Sequence, residues 1–235
     1  MKRGHVLAWD WPTRIFHWTL VVLLAAAWVS YEYAEALGDP LLKWHRWNGY
    51  AILILIVWRL LWGAFGSSTS RFVNFIPSIG RAITHARDTV IGKAPPYLGH
   101  NPLGALMVIG LLLIVTTQAM LGLFTVEHND LTAGPLYRLL ESGTVKDVSR
   151  WHRWTFTGII LPLIILHIAA NLIYQIFKRE PLITAMITGR KPRRNYADAE
   201  AANVTASPMP KAALLLLVAA TIVFGTIWML GGRLL

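Results

Sequence analysis

The residues of this chain that can do chemistry are mainly histidines. It has eight of them and no cysteine in 235 residues. Without thiols it cannot form a disulfide, a cysteine-ligated iron–sulfur cluster or a cysteine zinc site, so any bound metal must use His, Met, carboxylate or backbone ligands. Four histidines, His17, His45, His152 and His167, fall within or at the ends of long apolar segments. Ionisable side chains are costly there and are candidates for a functional site.

Five apolar segments are long enough to be the helices that carry these histidines. They cover approximately residues 15–37, 46–65, 102–125, 153–177 and 212–231, and a membrane-spanning helix needs about 20 mostly apolar residues. Only 14% of the residues are charged and the mean hydropathy is +0.48, whereas soluble domains are about 25% charged. The sequence therefore predicts an all-α integral membrane protein, with a four-helix transmembrane bundle and a fifth, C-terminal transmembrane helix.

The basic residues predict how these helices are oriented. With the N-terminus in the cytoplasm, that side carries 15 Lys and Arg residues and five acids, and the outer side carries seven of each. This bias is typical of cytoplasmic loops. It accounts for the net charge of +10, so we expect no nucleic-acid partner. The inner loop 66–101 should lie along the lipid headgroups, and His5, His85 and His128 should be solvated.

The four histidines of the apolar segments sort into two pairs at two depths. Because successive helices alternate in direction, His45 and His152 both lie at outer helix ends. His17 lies near the inner end of the first helix, and His167 lies deep in the fourth, towards the same inner side. His152 and His167 are 15 residues apart, which is about 22 Å along a helix. Their directions differ by about 60°, so both can face the bundle interior.

The outer pair stands in a short internal repeat. The second segment opens with Trp44-His45-Arg46-Trp47 and the fourth with Trp151-His152-Arg153-Trp154, and a glycine follows each (Gly49, Gly158). Imidazoles for iron, guanidinium groups for propionates, flat aromatic walls and small residues beside the macrocycle are what a haem requires. The two pairs therefore predict two non-covalent b haems, each with two histidine ligands.

Three other interpretations of these histidines stay open. The two motifs could be interfacial aromatic anchors with polar neighbours. A zinc site would need three or four ligands that converge on one point, and separated pairs do not supply them. A proton relay or transporter usually combines histidines with intramembrane carboxylates, and these segments contain almost none.

Several motifs resemble those of the prokaryotic cytochrome b561 family, which includes membrane b-type subunits of nickel–iron hydrogenases and formate dehydrogenases. They are PTRIFHW at residues 12–18, YLGHNPLG at residues 97–104 and the two histidines of the fourth segment. The resemblance covers about residues 5–190. It implies a four-helix bundle with two b haems, the inner one ligated by His17 and His167 and the outer one by His45 and His152. This agrees with the pairing by depth.

The resemblance also implies a quinone pocket near the inner haem. There His100 and Asn101 would hydrogen-bond a quinone carbonyl, although Asn101 could instead be the N-cap of the third helix, with Pro102 in its first turn. At the outer face, Arg46 and Arg153 could pair with haem propionates or extend to the interface as aliphatic stems with charged heads.

The function implied is electron transfer between the quinone pool and a periplasmic redox partner, such as a c-type cytochrome, a hydrogenase or a dehydrogenase. The location implied is the bacterial inner membrane. The chain has no G-x-G-x-x-G motif and no soluble catalytic domain, so whether it is itself an enzyme stays open. The alternative is a self-contained oxidoreductase that couples a small periplasmic redox substrate, such as superoxide, to quinone.

The fifth apolar segment departs from the family pattern. Residues 212–231 contain no histidine, acid or base and offer no haem ligand. We expect three parts, a di-haem domain at 1–190, a flexible cytoplasmic linker at 191–211 and a transmembrane helix at 212–235. This helix should pack on the outside of the bundle, on a second protomer of an oligomer or on a partner subunit, and haem binding should not require it.

Overall fold

The structure is a computed structural model that describes residues 4–39, 42–127, 132–199, 204 and 208–234. Nearly all of its regular structure is helical, and five helices are long and apolar enough to cross a membrane. These are Trp11–Glu32, Lys43–Phe65, Pro102–Gly122, Ser142–Ile176 and Met209–Met229. The prediction of an all-α membrane protein with five spans is therefore confirmed.

The elements follow one another along the chain with short connections. They are β1 (His5–Leu7), α1 (Trp11–Glu32), α2 (Lys43–Phe65), α3 (Phe72–Phe75), α4 (Ile79–Val90), α5 (Pro102–Gly122), α6 (Ser142–Thr155), α7 (Leu161–Ile176), α8 (Leu182–Thr188), β2 (Arg190–Pro192) and α9 (Met209–Met229). A π-helical turn, Phe156–Ile160, joins α6 to α7. The fourth span thus begins at Ser142 rather than near residue 153, because α6 is an amphipathic extension that hydropathy does not detect.

Polar side chains fix where several helices begin. Asp10 precedes α1, and its Oδ1 accepts a hydrogen bond from the Thr13 amide at 2.7 Å. Asn101 precedes α5 in the same way, with Oδ1 2.7 Å from the Gly104 amide. Such N-caps satisfy backbone donors that have no partner inside the helix. Asn101 is therefore the N-cap of α5.

The chain divides into two compact units. The first comprises the described residues of Met1–Phe16, Leu60–Leu111 and Ile164–Ala213, and the second those of His17–Arg59, Leu112–Leu163 and Leu214–Leu235. The long helices contribute residues to both units.

The first unit is held together by contacts between distant parts of the chain. β1 and β2 pair antiparallel, with Val6 opposite Lys191. Gly189 ends α8 with a φ of +80°, and its carbonyl accepts hydrogen bonds from the amides of Ala8 at 2.8 Å and Trp9 at 3.1 Å. A Cβ at Gly189 would lie 2.9 Å from the Trp9 carbonyl oxygen. The left-handed backbone and this close approach both require glycine.

The segment 190–199 packs into the first unit and differs here from the flexible linker expected from its composition. Lys191 is 1% exposed, and its Nζ donates to the Tyr97 carbonyl at 2.8 Å. Asp198 accepts hydrogen bonds from the two amides that follow Tyr97 along the chain. Composition does not reveal this order, because the partners lie about a hundred residues earlier in the sequence.

In the second unit, α9 packs against α2 of its own chain and shares a buried core with residues that follow α5. The buried core of this unit consists of Tyr50, Leu53, Leu123, Leu136, Val223 and Ile227. The two α9 members, Val223 and Ile227, lie one helical turn apart on a single face. Other α9 side chains, such as Leu217 and Trp228, are 69% and 78% exposed, as expected for a helix surface that contacts lipid.

Candidate cofactor site

The second unit brings His45 of α2 and His152 of α6 together. Their ring centres are 6.2 Å apart, and the ring planes are nearly perpendicular at 88°. Metal–nitrogen bonds of about 2.0 Å on opposite sides of one ion would separate two imidazole centres by roughly 6 Å. Within the described residues, no group of three or more His, Asp or Glu side chains converges as metal ligands. The spacing therefore suits two histidines that share one metal ion.

Each of these two rings is oriented by a backbone carbonyl. His45 Nδ1 lies 2.7 Å from the Ala27 carbonyl oxygen, and His152 Nδ1 lies 3.0 Å from that of Gln118. A carbonyl oxygen only accepts, so Nδ1 carries the proton and donates in both rings. The neutral imidazole then has its lone pair on Nε2, which is the atom that would bind a metal. His152 Nε2 lies 3.5 Å from Gln118 Nε2, which can donate to it.

Three glycines, Gly49, Gly122 and Gly134, are among the residues that line a cavity of about 70 Å³ beside the two rings. A Cβ at Gly49 would meet no atom within 4 Å, whereas one at Gly122 would lie 3.1 Å from His152 Cε1. At Gly134 a Cβ would lie 2.4 Å from the Gly122 carbonyl oxygen, so the loop and the end of α5 can approach only through glycine. The missing side chain of Gly49 leaves open space for a flat group next to the imidazoles, and the other two glycines allow close approach of the groups around it.

The two arginines of the repeat have different surroundings. Arg46 lines the cavity, and its Nη1 is 3.5 Å from the Ala133 carbonyl oxygen. Arg153 does not line it and lies 3.7 Å from Glu127 Oε1, with 40% of its side chain exposed. Glu127, which also lines the cavity, partly neutralises Arg153, whereas Arg46 has no carboxylate within ion-pair distance among the described residues.

His100 lies in the first unit, between two aromatic rings. Its ring centre is 4.7 Å from that of Trp9 and 4.5 Å from that of Phe75. The adjoining cavity, which Asp198 also lines, measures about 10 Å³, about the volume that one water needs. A quinone head at His100 would require the Phe75 ring to move or an approach from the lipid side.

The expectation that His85 is solvated is wrong. It lies on α4 with 5% of its surface exposed, and its ring centre is 5.4 Å from that of Tyr97. Burial, supported by the charge of Lys178 and opposed by Asp88, lowers the pKa of His85 below 6.5. His5 is exposed, and His128 lies outside the described residues.

Comparison with known proteins identifies the family. The family model described as prokaryotic cytochrome b561 matches residues 8–189. The chain belongs to this family. Two relatives are each named a probable Ni/Fe-hydrogenase B-type cytochrome subunit. The one from Bradyrhizobium diazoefficiens is 23% identical over 221 residues, which cover 82% of this chain and 88% of the relative. The one from Azotobacter vinelandii is 24% identical over 216 residues, with 80% and 89% covered.

As a prokaryotic cytochrome b561, the protein is a membrane b-type cytochrome that transfers electrons and uses haem b. The resemblance read from the sequence motifs is thus confirmed at the level of the family. The matched residues end before α9, so the fifth span lies outside the part of the chain that the family model describes.

His17 and His167 of this cytochrome fall in different units. The His17 ring packs edge-on against Trp18, with ring centres 4.9 Å apart. Asn171 donates through Nδ2 to the His167 carbonyl at 2.7 Å, which holds the asparagine beside the imidazole. The pairing of these two histidines at one haem stays a prediction.

Sequence reasoning missed several residues around the His45–His152 pair of the cytochrome. The carbonyls of Ala27 and Gln118 orient the histidines, and a backbone oxygen has no signature in the sequence. Gly122 and Gly134 lie in segments where glycine is common, so only their contacts show why they are needed. Tyr50 was missed as well, although it follows Arg46 by one helical turn and so shares its face of α2.

Proposed function

We propose that this cytochrome binds two b haems, each between two histidines, and carries electrons between a membrane quinone and a redox protein on the periplasmic side. The observation that carries the proposal is the His45–His152 pair. Its ring separation of 6.2 Å suits one metal ion, and both rings direct Nδ1 to a carbonyl, so that the lone pair lies on Nε2. At His152 this atom accepts a long hydrogen bond of 3.5 Å from Gln118 Nε2, which a metal would replace.

The residues around this pair fit a haem. Glycines leave space for a planar macrocycle, and Arg46 supplies a positive charge for a propionate. Bound there, haem would supply a one-electron iron couple. The chain itself sets the environment of that couple, because the carbonyls of Ala27 and Gln118 make the imidazoles more basic and thereby favour the oxidised iron.

For the inner side, we propose His17 and His167 as ligands of the second haem and His100 and Asn101 as quinone contacts. Asn101 uses its Oδ1 to cap α5, so only its amide nitrogen remains to donate to a quinone carbonyl. His100 is held between two rings that fix its plane. The excess of basic residues on this side of the chain supports a cytoplasmic position for this loop.

The partner proposed is a periplasmic redox protein, such as a hydrogenase, a dehydrogenase or a c-type cytochrome. The names of the relatives support a hydrogenase. Because the fifth span lies outside the residues that the family model matches, we also keep a dehydrogenase and a c-type cytochrome as candidate partners. We place the cytochrome in the bacterial inner membrane, with its N-terminus in the cytoplasm, in contact with lipid and either alone or in an oligomer.

Haem counting on ligand variants tests this proposal. The purified protein should show two haems per chain by the pyridine haemochrome method and a b-type reduced-minus-oxidised spectrum. Replacing His45 or His152 with Ala should leave one haem, as should replacing His17 or His167, and the His17→Ala/His152→Ala double variant should hold none. His5→Ala, an exposed control, should keep two. If the double variant kept one haem, the pairing would be wrong.

A further inference from the structure

Two buried donors in the second unit have no hydrogen-bond partner among the described residues. One is the Tyr50 hydroxyl, whose residue is 3% exposed, and the other is Arg46 Nε. Both residues line the cavity next to His45 and His152, and they lie one turn apart on the same face of α2. Burying a polar group without a partner costs free energy, so we expect the cavity to hold an acceptor that the described residues do not provide.

The charge of that acceptor follows from the ion pairs of this unit. Within the described residues, Asp147 pairs with Arg150 and Glu127 with Arg153, and Arg46 has no carboxylate partner. A guanidinium and a phenolic hydroxyl that face one cavity bind an anion such as a carboxylate most strongly, because hydrogen bonds to a charged acceptor are the strong ones.

We propose that Tyr50 and Arg46 together bind one carboxylate of the outer cofactor, a haem propionate, and that α9 holds Tyr50 in position for this contact. The proposal rests on the proposed function, because it assigns the ligand of the same cavity. It adds Tyr50 as a binding residue. It also gives the fifth span, which lies outside the family match, a role at the cofactor site.

Aromatic contacts on two sides hold the Tyr50 ring. The ring of Phe224 on α9 is 6.1 Å away and tilted by 71°, and that of Trp47 is 5.6 Å away and perpendicular. The buried Val223 and Ile227 belong to the same core. These contacts restrict the ring of Tyr50, which also lines the cavity.

The Tyr50→Phe variant removes the hydroxyl and keeps the ring and its packing on α9. It should still hold two haems per chain. The outer haem should transfer to excess apomyoglobin about tenfold faster than in the parent, the low end for a hydrogen bond to a charged group. Its midpoint potential should fall, because a less neutralised propionate favours oxidised iron, while the inner haem keeps its potential.

The Phe224→Ala variant tests the role of α9. It should speed the loss of the outer haem by a smaller factor, about threefold, and add nothing to Tyr50→Phe in the double variant, because its effect acts through the hydroxyl. Leu217→Ala, at an exposed position of the same helix, should match the parent. Additive effects of Phe224→Ala and Tyr50→Phe would show that α9 does not act through Tyr50. They would overturn the proposal that α9 positions Tyr50.

The outcomes separate this inference from the proposed function. If His152→Ala loses one haem but Tyr50→Phe releases haem at the parental rate and potential, the hydroxyl contacts only water and the inference is overturned. If His45→Ala and His152→Ala both keep two haems, the proposed function itself fails.

Discussion

Replacing Asp198 with Ala should destabilise the loop that carries His100. Asp198 Oδ1 accepts from the Leu98 amide at 2.6 Å and Oδ2 from the Gly99 amide at 2.8 Å. Leu98 is 5% exposed and Gly99 is also buried, so the amides would lose their acceptor without gaining full access to water. Hydrogen bonds to a charged group contribute about 1.5–3 kcal/mol each. Allowing for relaxation around one shared carboxylate, we expect a total loss of about 2–4 kcal/mol.

Thermal unfolding of the detergent-solubilised holoprotein measures this loss. In a chain of this size the Tm should fall by about 5–15 °C. Hydrogen exchange should accelerate at Leu98 and Gly99, and quinol should reduce the haems more slowly although the haem content stays the same. Asp198→Asn, which retains one acceptor, should lie between the parent and Asp198→Ala.

Asp147 provides a matched control for Asp198. Its ion pair with Arg150 is largely exposed, at 59% and 71%, and such pairs contribute about 0–1 kcal/mol. Asp147→Ala should therefore leave the Tm nearly unchanged. A parental Tm and parental exchange rates in Asp198→Ala would refute the reasoning, since they would mean that the two amides find other partners at no cost.

Three further predictions concern other parts of the chain. Because burial and Lys178 lower the pKa of His85, the unfolded chain binds its proton first. The buried, neutral His85 contributes its full stability above a pH of about 6.5, and this contribution is lost as the pH falls below that value. The drop in Tm between pH 8 and pH 5 should therefore be smaller in His85→Phe than in the parent; an equal drop would contradict this. Truncation after residue 203 should leave two haems per chain, since α9 has no ligand, but should speed the loss of the outer haem; a single haem at normal expression would place α9 in the haem core. Replacing His100 with Ala, or Asn101 with Ser to keep the helix cap, should slow haem reduction by quinol without loss of haem, and parental kinetics in both variants would exclude these residues as quinone contacts.

The sequence predicts the spans and the outer histidine pair well, because both depend on local signals. Hydropathy over about 20 residues identifies a spanning helix, and the repeated Trp-His-Arg-Trp motif identifies the two histidines, one in α2 and one in α6, that the structure brings together. Amphipathic helices are harder to predict from the sequence. α6 is missed because its apolar residues form only one stripe, and His85 is missed because its burial depends on the partners of an amphipathic helix, α4.

The loop before α5 is ordered by contacts with a segment distant in sequence, which the sequence alone does not predict. Lys191 donates to the Tyr97 carbonyl, and Asp198 accepts from the next two amides, so two side chains of opposite charge bind opposite ends of the same short backbone segment. Burial, which outweighs the attraction of nearby carboxylates, lowers the pKa of Lys191 to about 8. A buried ammonium is costly, and at neutral pH its bond to the Tyr97 carbonyl offsets part of that cost. The loop that presents His100 and the segment after α8 therefore depend on each other, although each alone has the composition of a flexible connection.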